Sequence, residues 1–148
     1  MSLATPRGRV AGLLAGLFGG LAGASALALI GRHVLRELDA AIVGGRSMIP
    51  TLQPGDRLLV ESWTYRQRPP RAGEVVLAAD PRRPSRELAK RVSAVGPESL
   101  KLVGDGPRST DSRAFGAVPL DEVRWRAIAR YWPPRRAGRI PGPPTVTG

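Results

Sequence analysis

Glu87-Leu88-Ala89-Lys90-Arg91-Val92-Ser93-Ala94-Val95 is the stretch whose reading decides the fold. As a strand it places Leu88, Lys90, Val92 and Ala94 on one face, because side chains alternate with a period of two. A lysine among apolar neighbours is unusual and marks the strand for chemistry as well as structure. Working outward, Glu74–Ala79 carries the run Val75-Val76-Leu77 and reads as a buried strand, and Ser99–Val103 as another. Arg57–Ser62 alternates like a strand after the turn signal Pro54-Gly55-Asp56, and a shorter strand is expected near Ala40–Val43. Arg68–Gly73, Pro81–Ser85 and Gly104–Ser112 read as loops, and Val123–Trp132 is expected to close the sheet. With 18 Gly and 15 Pro in 148 residues, the chain has many turns and little soluble helix. The expected fold class is mainly β.

Ser47 begins the string Ser47-Met48-Ile49-Pro50-Thr51-Leu52, a proline-braced turn just after Gly44-Gly45. A serine hydroxyl is a poor nucleophile until a base takes its proton. The chain has no cysteine, and its single histidine, His33, follows the apolar run directly, away from the strands. Lysine is the remaining base, and there are only two, Lys90 and Lys101. A free lysine amine titrates near about 10.4, and burial among apolar groups disfavours its ammonium form. Lys90 has that setting between Leu88 and Val92. Lys101, with Ser99 and Val103 beside it, reads as a solvated lysine.

Val10–Gly31 is uncharged throughout and long enough to span a bilayer core. Gly12, Gly16 and Gly20 recur at the small-residue spacing that lets helices approach closely. Ala24-Ser25-Ala26 imitates the cleavage site of a secretory signal, but Leu27–Ile30 continues the apolar run beyond it, so an uncleaved anchor is the reading adopted. Arg7 and Arg9 before the run, against Arg32 and Arg36 after it, tilt the orientation slightly toward an amino terminus inside and a domain outside. Net charge is +11, with 23 basic residues of which only two are lysine. These are scattered among Pro and Gly with no aromatic-interleaved stripe, so anionic lipid headgroups are favoured over nucleic acid as a partner. The expected organisation is a tail over 1–9, an anchor over 10–31, a catalytic domain over 32–134 and a disordered Pro/Gly-rich tail over 135–148.

Three segments then resemble one family. Gly45-Arg46-Ser47-Met48-Ile49-Pro50-Thr51-Leu52-Gln53-Pro54-Gly55-Asp56 is similar to the nucleophile segment of type I signal peptidases. Leu88-Ala89-Lys90-Arg91-Val92 is similar to their base segment. Gly104-Asp105-Gly106, continuing to Ser109, Asp111 and Arg113, resembles their third segment. All three occur in family order and cover roughly Val43–Pro134. Within the family the chain looks most like the compact mitochondrial inner-membrane proteases and the nickel superoxide dismutase maturation proteases. The resemblance implies a signal-peptidase-like β-rich domain in which Ser47 attacks and Lys90 acts as general base and then acid. It also implies that Ser109 aims the Lys90 amine, and that Asp111 and Arg113 pair to hold their loop. Val43, Met48, Leu52, Leu88 and Ala89 would shape shallow apolar pockets for a substrate strand with small residues before the cut.

The chain departs from the family at three points. Some members carry a hydroxyl two residues before the nucleophile, where this chain has Gly45, so Gly45→Ser is expected not to abolish activity. Gly106 replaces the usual Asn, and Gly96-Pro97-Glu98 replaces a Pro-Gly-Asp turn. The expected protein is a single-pass membrane endopeptidase, working without metal or organic cofactor on exported or membrane-tethered proproteins. Its catalytic domain would lie on the extracytoplasmic side of the cell membrane. A maturase dedicated to one partner, such as a nickel superoxide dismutase, and a membrane-tethered binding module without turnover are the alternatives. A self-cleaving repressor would need a DNA-binding helical domain where this chain has the apolar run.

Overall fold

The computed structural model describes residues 23–32, 36–80, 83–107 and 116–144. The chain divides into two units, Met1–Arg36 and Glu37–Gly148. In the first, residues 23–32 form a helix. No helix among the described residues is long and apolar enough to cross a membrane. Most of the expected anchor, residues 10–22, lies outside the described residues.

The second unit is an antiparallel sheet. Its strands are β1 (Leu38–Ile42), β2 (Arg57–Glu61), β3 (Val75–Asp80), β4 (Arg83–Val95), β5 (Ser99–Val103), β6 (Val118–Pro119), β7 (Trp125–Trp132) and β8 (Gly138–Arg139), with a one-turn helix α1 at Thr64–Gln67 after β2. The sheet order is β1-β2-β7-β3-β4-β5-β6, and β8 pairs with β7. β7 therefore lies between β2 and β3 rather than closing the sheet at an edge. β3 pairs with β7 only over Trp125–Ala127, which leaves Ala129 and Arg130 for β8.

β3 explains the architecture. Val75 and Leu77 join a core with Val43, Met48, Leu52, Leu58, Val60 and Ala127. Val76 and Ala78 join a second core with Val92, Leu100, Leu102, Val118 and Val123. A strand covered on both sides needs apolar residues at consecutive positions, hence the unbroken Val75-Val76-Leu77-Ala78-Ala79. Fully burying each Val or Leu contributes about 1.5–3 kcal/mol. In β4 the shared face holds from Leu88 through Val92. A register shift between Val92 and Ala94 then breaks the phase, so Ala94 is exposed and the Ser93 hydroxyl donates to the Lys101 carbonyl.

The expected disordered tail is corrected in its first part. Arg136 pairs with fully buried Asp56, β8 pairs with β7, Ile140 packs on the first core, and the Pro141 carbonyl accepts from Arg91. Composition alone suggested disorder, but long-range ionic contacts order this segment. β4 also begins earlier than expected, at Arg83, inside the stretch read as a loop.

Behind the sheet runs an ionic network. Glu61 is fully buried, accepts from Arg126 at 2.7 Å and caps α1 through the Thr64 N–H at 3.0 Å. Glu74 accepts from Arg68 at 2.5 Å, from the Tyr65 hydroxyl at 3.0 Å and from the Arg71 N–H at 2.9 Å. Burial alone would raise the Glu74 carboxyl, but the hydrogen bonds from Arg68, Arg71 and Tyr65 outweigh it and pull the pKa down to about 2. Burial, followed by the Glu74 charge, pushes the Tyr65 hydroxyl far up, so it stays a donor.

Candidate active site

The turn carrying Ser47 is built by local and distant bonds together. Within it, the Ile49 N–H reaches the Arg46 carbonyl at 3.2 Å and the Leu52 N–H the Met48 carbonyl at 2.8 Å. At its base, Val43 and Gly55 close the loop through Val43 N–H to Asp56 O at 2.9 Å and Gly55 N–H to Val43 O at 2.8 Å. Gly55 has φ +88°, a conformation that glycine adopts without strain. Met48 and Leu52 are anchored in the first core, while Ser47 stays partly exposed. From outside, Arg130 donates to the Thr51 carbonyl at 2.9 Å and to Asp56 at 3.2 Å.

A cavity of about 630 Å³ opens over this turn. Its lining includes Asp39–Met48, Leu58, Val60, Leu77, Asp80, Arg86–Lys90 and Trp125. β1 and β4 thus form its two walls, with side chains of β2, β3 and β7 as the floor, so the sheet curls into a trough. Both walls present backbone edges: β1 ends the strand order, and β5 pairs with β4 only from Arg91 onward. Ser47 and Lys90 line this one cavity from opposite walls, and Lys90 is only 4% exposed. Lys101 is exposed on β5 and does not line it.

Of the expected pocket residues, Val43, Met48, Leu88 and Ala89 line the cavity. Leu52 does not: it is fully buried beneath the turn, where it serves as core rather than as pocket wall. Ser109, Asp111 and Arg113 lie outside the described residues.

Asp105 and Gly106 hold the two walls together. Asp105 accepts from Arg91 at 2.8 and 2.6 Å and from the Thr51 hydroxyl at 2.5 Å, joining the residue after Lys90 to the turn of Ser47. The Gly106 N–H donates to the Ser47 carbonyl at 2.9 Å. A Cβ on Gly106 would lie 3.0 Å from the Ile49 carbonyl, 3.2 Å from that of Arg46 and 3.3 Å from that of Ser47. The replacement of Asn by Gly is therefore accompanied by a close backbone approach under the turn. At Gly96 a Cβ would meet only the Ser99 carbonyl of its own hairpin, at 3.2 Å.

Sequence reasoning did not single out Arg86, Asp39 or Asp80 of the cavity lining. Arg86 could have been found by extending the two-residue period of Lys90 and Leu88 one step further. Asp39 and Asp80 carried no such signal. Tyr65, Arg68 and Glu74, whose pKa values are shifted, belong to the network behind the sheet. Among the described residues no cluster of His, Cys, Asp or Glu could hold a metal ion.

Residues 18–106 match the family model described as signal peptidase, peptidase S26, a span that includes both Ser47 and Lys90. Among similar proteins is the mitochondrial ATP-independent inner membrane protease subunit 1a of Arabidopsis thaliana, 35% identical over 66% of this chain and 73% of its own. Signal peptidase I of Leptolyngbya laminosa is 28% identical over 72% of this chain and 75% of its own. Mitochondrial inner membrane protease subunit 2 of Danio rerio is 32% identical over 68% and 67%.

Proposed function

Because this chain belongs to the S26 signal peptidase family of serine-type peptidases, we propose that it is a membrane-anchored endopeptidase in which Ser47 and Lys90 form the reacting pair. The observation that carries the reading is their placement on opposite walls of one trough, with Lys90 buried. Burial disfavours an ammonium ion, and a neutral amine is what a general base requires. The substrate adds as an extended strand between the edges of β1 and β4, main chain to main chain. Val43, Met48, Leu88 and Ala89 then offer shallow apolar surface suited to small residues before the cut.

The Ser47 Oγ bonds to the scissile carbonyl carbon while its proton passes to the Lys90 Nζ and the carbonyl π pair moves onto oxygen. Collapse breaks the C–N bond, and Lys90 returns the proton to the leaving amine. Water then attacks the acyl ester, Lys90 takes its proton, and Ser47 recovers its hydrogen as the acid leaves. Ser109 aims the amine, and Asp111 with Arg113 steadies that loop. The apolar run Val10–Gly31 is the anchor and keeps the domain at the extracytoplasmic surface, where exported or membrane-tethered proproteins arrive.

The test is cleavage of an Ala-x-Ala precursor in detergent by wild type, Ser47→Ala and Lys90→Ala. Wild type should cleave, at a rate rising with pH as Lys90 loses its proton, and both variants should be inert. Activity surviving in either variant would overturn the assignment.

A further inference from the structure

We propose that Arg86 is a catalytic residue that supplies the second oxyanion donor of the site. This rests on the reading of Ser47 as nucleophile. When Ser47 attacks, negative charge develops on the former carbonyl oxygen, and preorganised donors aimed at that oxygen are among the strongest contributors to rate. The Ser47 N–H is one such donor. The segment before it contributes no side-chain hydroxyl two residues back, because Gly45 stands there.

Gly45 leaves room that another group reaches. A Cβ built on Gly45 would lie 3.9 Å from the Arg86 Nη2, and among the described residues no other atom, its chain neighbours aside, would come within 4 Å. The guanidinium therefore crosses from β4 to the β1 wall and ends beside the missing side chain. Arg86 lines the same cavity as Ser47 and Lys90, and stands four positions before Lys90. None of the described residues is hydrogen bonded to or ion-paired with its side chain. Arg91, Arg126 and Arg130 are committed to Asp105, Glu61 and Asp56, and of the two arginines lining the cavity, Arg46 and Arg86, it is Arg86 whose guanidinium lies beside Gly45.

Arginine suits the task. It stays protonated at any working pH, offers several N–H donors in a rigid fork, and forms stronger hydrogen bonds to an anion than a neutral hydroxyl does. The guanidinium is exposed in the free enzyme, where water screens it. A substrate strand lying between β1 and β4 expels that water, so the donor gains strength as the oxyanion forms. Arg86 donates hydrogen bonds only, and no proton leaves it.

The experiment is steady-state kinetics of the full chain in detergent on an Ala-x-Ala precursor, comparing wild type with Arg86→Ala, Gly45→Ser and the double variant. Arg83→Ala controls for lost positive charge on the same strand, since Arg83 does not line the cavity. Arg86→Ala should lower kcat about 10²-fold with KM nearly unchanged. Gly45→Ser alone should stay within a few-fold of wild type, but in the Arg86→Ala background it should restore kcat roughly tenfold by supplying a hydroxyl donor. Arg83→Ala should leave both constants unchanged. Unchanged kcat in Arg86→Ala, a pure rise in KM, or no restoration by Gly45→Ser would overturn the proposal. Ser47→Ala keeps the two readings apart: if it is inert while Arg86→Ala is normal, only Arg86 loses its role, and if it is active, the nucleophile itself is wrong.

Discussion

Lys90 and Arg91 are neighbours in β4, both basic residues and both buried, at 4% and 3% exposure, yet they belong to different regions of the molecule. Lys90 lines the trough with Ser47. Arg91 turns to the other side, where it donates to both Asp105 oxygens, to the Gly73 carbonyl at 2.7 Å and to the Pro141 carbonyl at 3.1 Å. The two-residue period of a strand sends one basic side chain to the cavity and the next to the frame. The buried charge of Arg91 is held by four hydrogen bonds, two of them to the Asp105 carboxylate. Lys90 instead borders the open trough. The comparison teaches that burial alone does not single out a candidate reacting group; burial against an open cavity is the further criterion.

Lys90→Met should break the comparison most sharply. Turnover should fall about 10⁴-fold, the scale seen when one member of a coupled catalytic set is removed. Unfolding free energy should fall by less than it does in Arg91→Met, because the Met chain refills the space of the lysine stem. Arg91→Met should do the reverse in the frame. It strands buried Asp105 and should cost about 3–5 kcal/mol in denaturant unfolding. Equal loss of stability in both variants would erase the distinction.

Gly106 and Gly96 sharpen it at a smaller scale. Each sits in a close approach to carbonyl oxygen, but Gly106 meets three carbonyls of the Ser47 turn and Gly96 one carbonyl of a remote hairpin. The Cβ of an Ala at 106 is fixed by the backbone and no side-chain rotation can move it away, so the turn must shift by tenths of an ångström. A misplacement of 1 Å can cost about 10² in rate, so Gly106→Ala should lower kcat roughly tenfold. Gly96→Ala should cost about 1 kcal/mol of stability and leave kcat alone. Steady-state kinetics beside a denaturant melt separates the two, and a matching loss of kcat at Gly96 would sink the idea that the contact under Ser47 is special.

Much of this was legible because it rests on short-range pattern. The apolar run at Val75–Ala79 foretold a strand covered on both sides, and the alternation around Lys90 foretold its burial among apolar groups. The parts that were not legible depend on distant partners. β8 and the segment to Pro141 are ordered by Asp56 and Arg91, which are 80 and 50 residues from Arg136 and Pro141. Leu52 fits a pocket wall as well as a core by type, and only the curl of the sheet puts it beneath the turn. Asp105 stands in a turn-rich segment, and its two tethers appear only when the nucleophile and base segments are brought together. Arg86 looks like one of many solvated arginines until the trough places it opposite Gly45.

The smallest expected effect concerns pH and the frame. The Glu74 carboxyl lies well below its ordinary 4.5, at about 2, where Arg68, the Arg71 N–H and Tyr65 outweigh the opposing effect of burial. The folded chain therefore binds this proton more weakly than the unfolded chain. Its stabilising contribution is complete above the unfolded value and is lost as pH falls from about 4.5 toward about 2. Glu74→Gln should flatten that acid limb of the stability curve, measured by denaturant unfolding at successive pH values, while turnover per folded molecule at neutral pH stays at the wild-type level. The side chain is partly solvated, so screening keeps the change modest. If Glu74→Gln instead altered kcat with stability unchanged across that window, a frame charge would be acting on the chemistry, and the division drawn between Lys90 and Arg91 would not extend to the rest of the sheet.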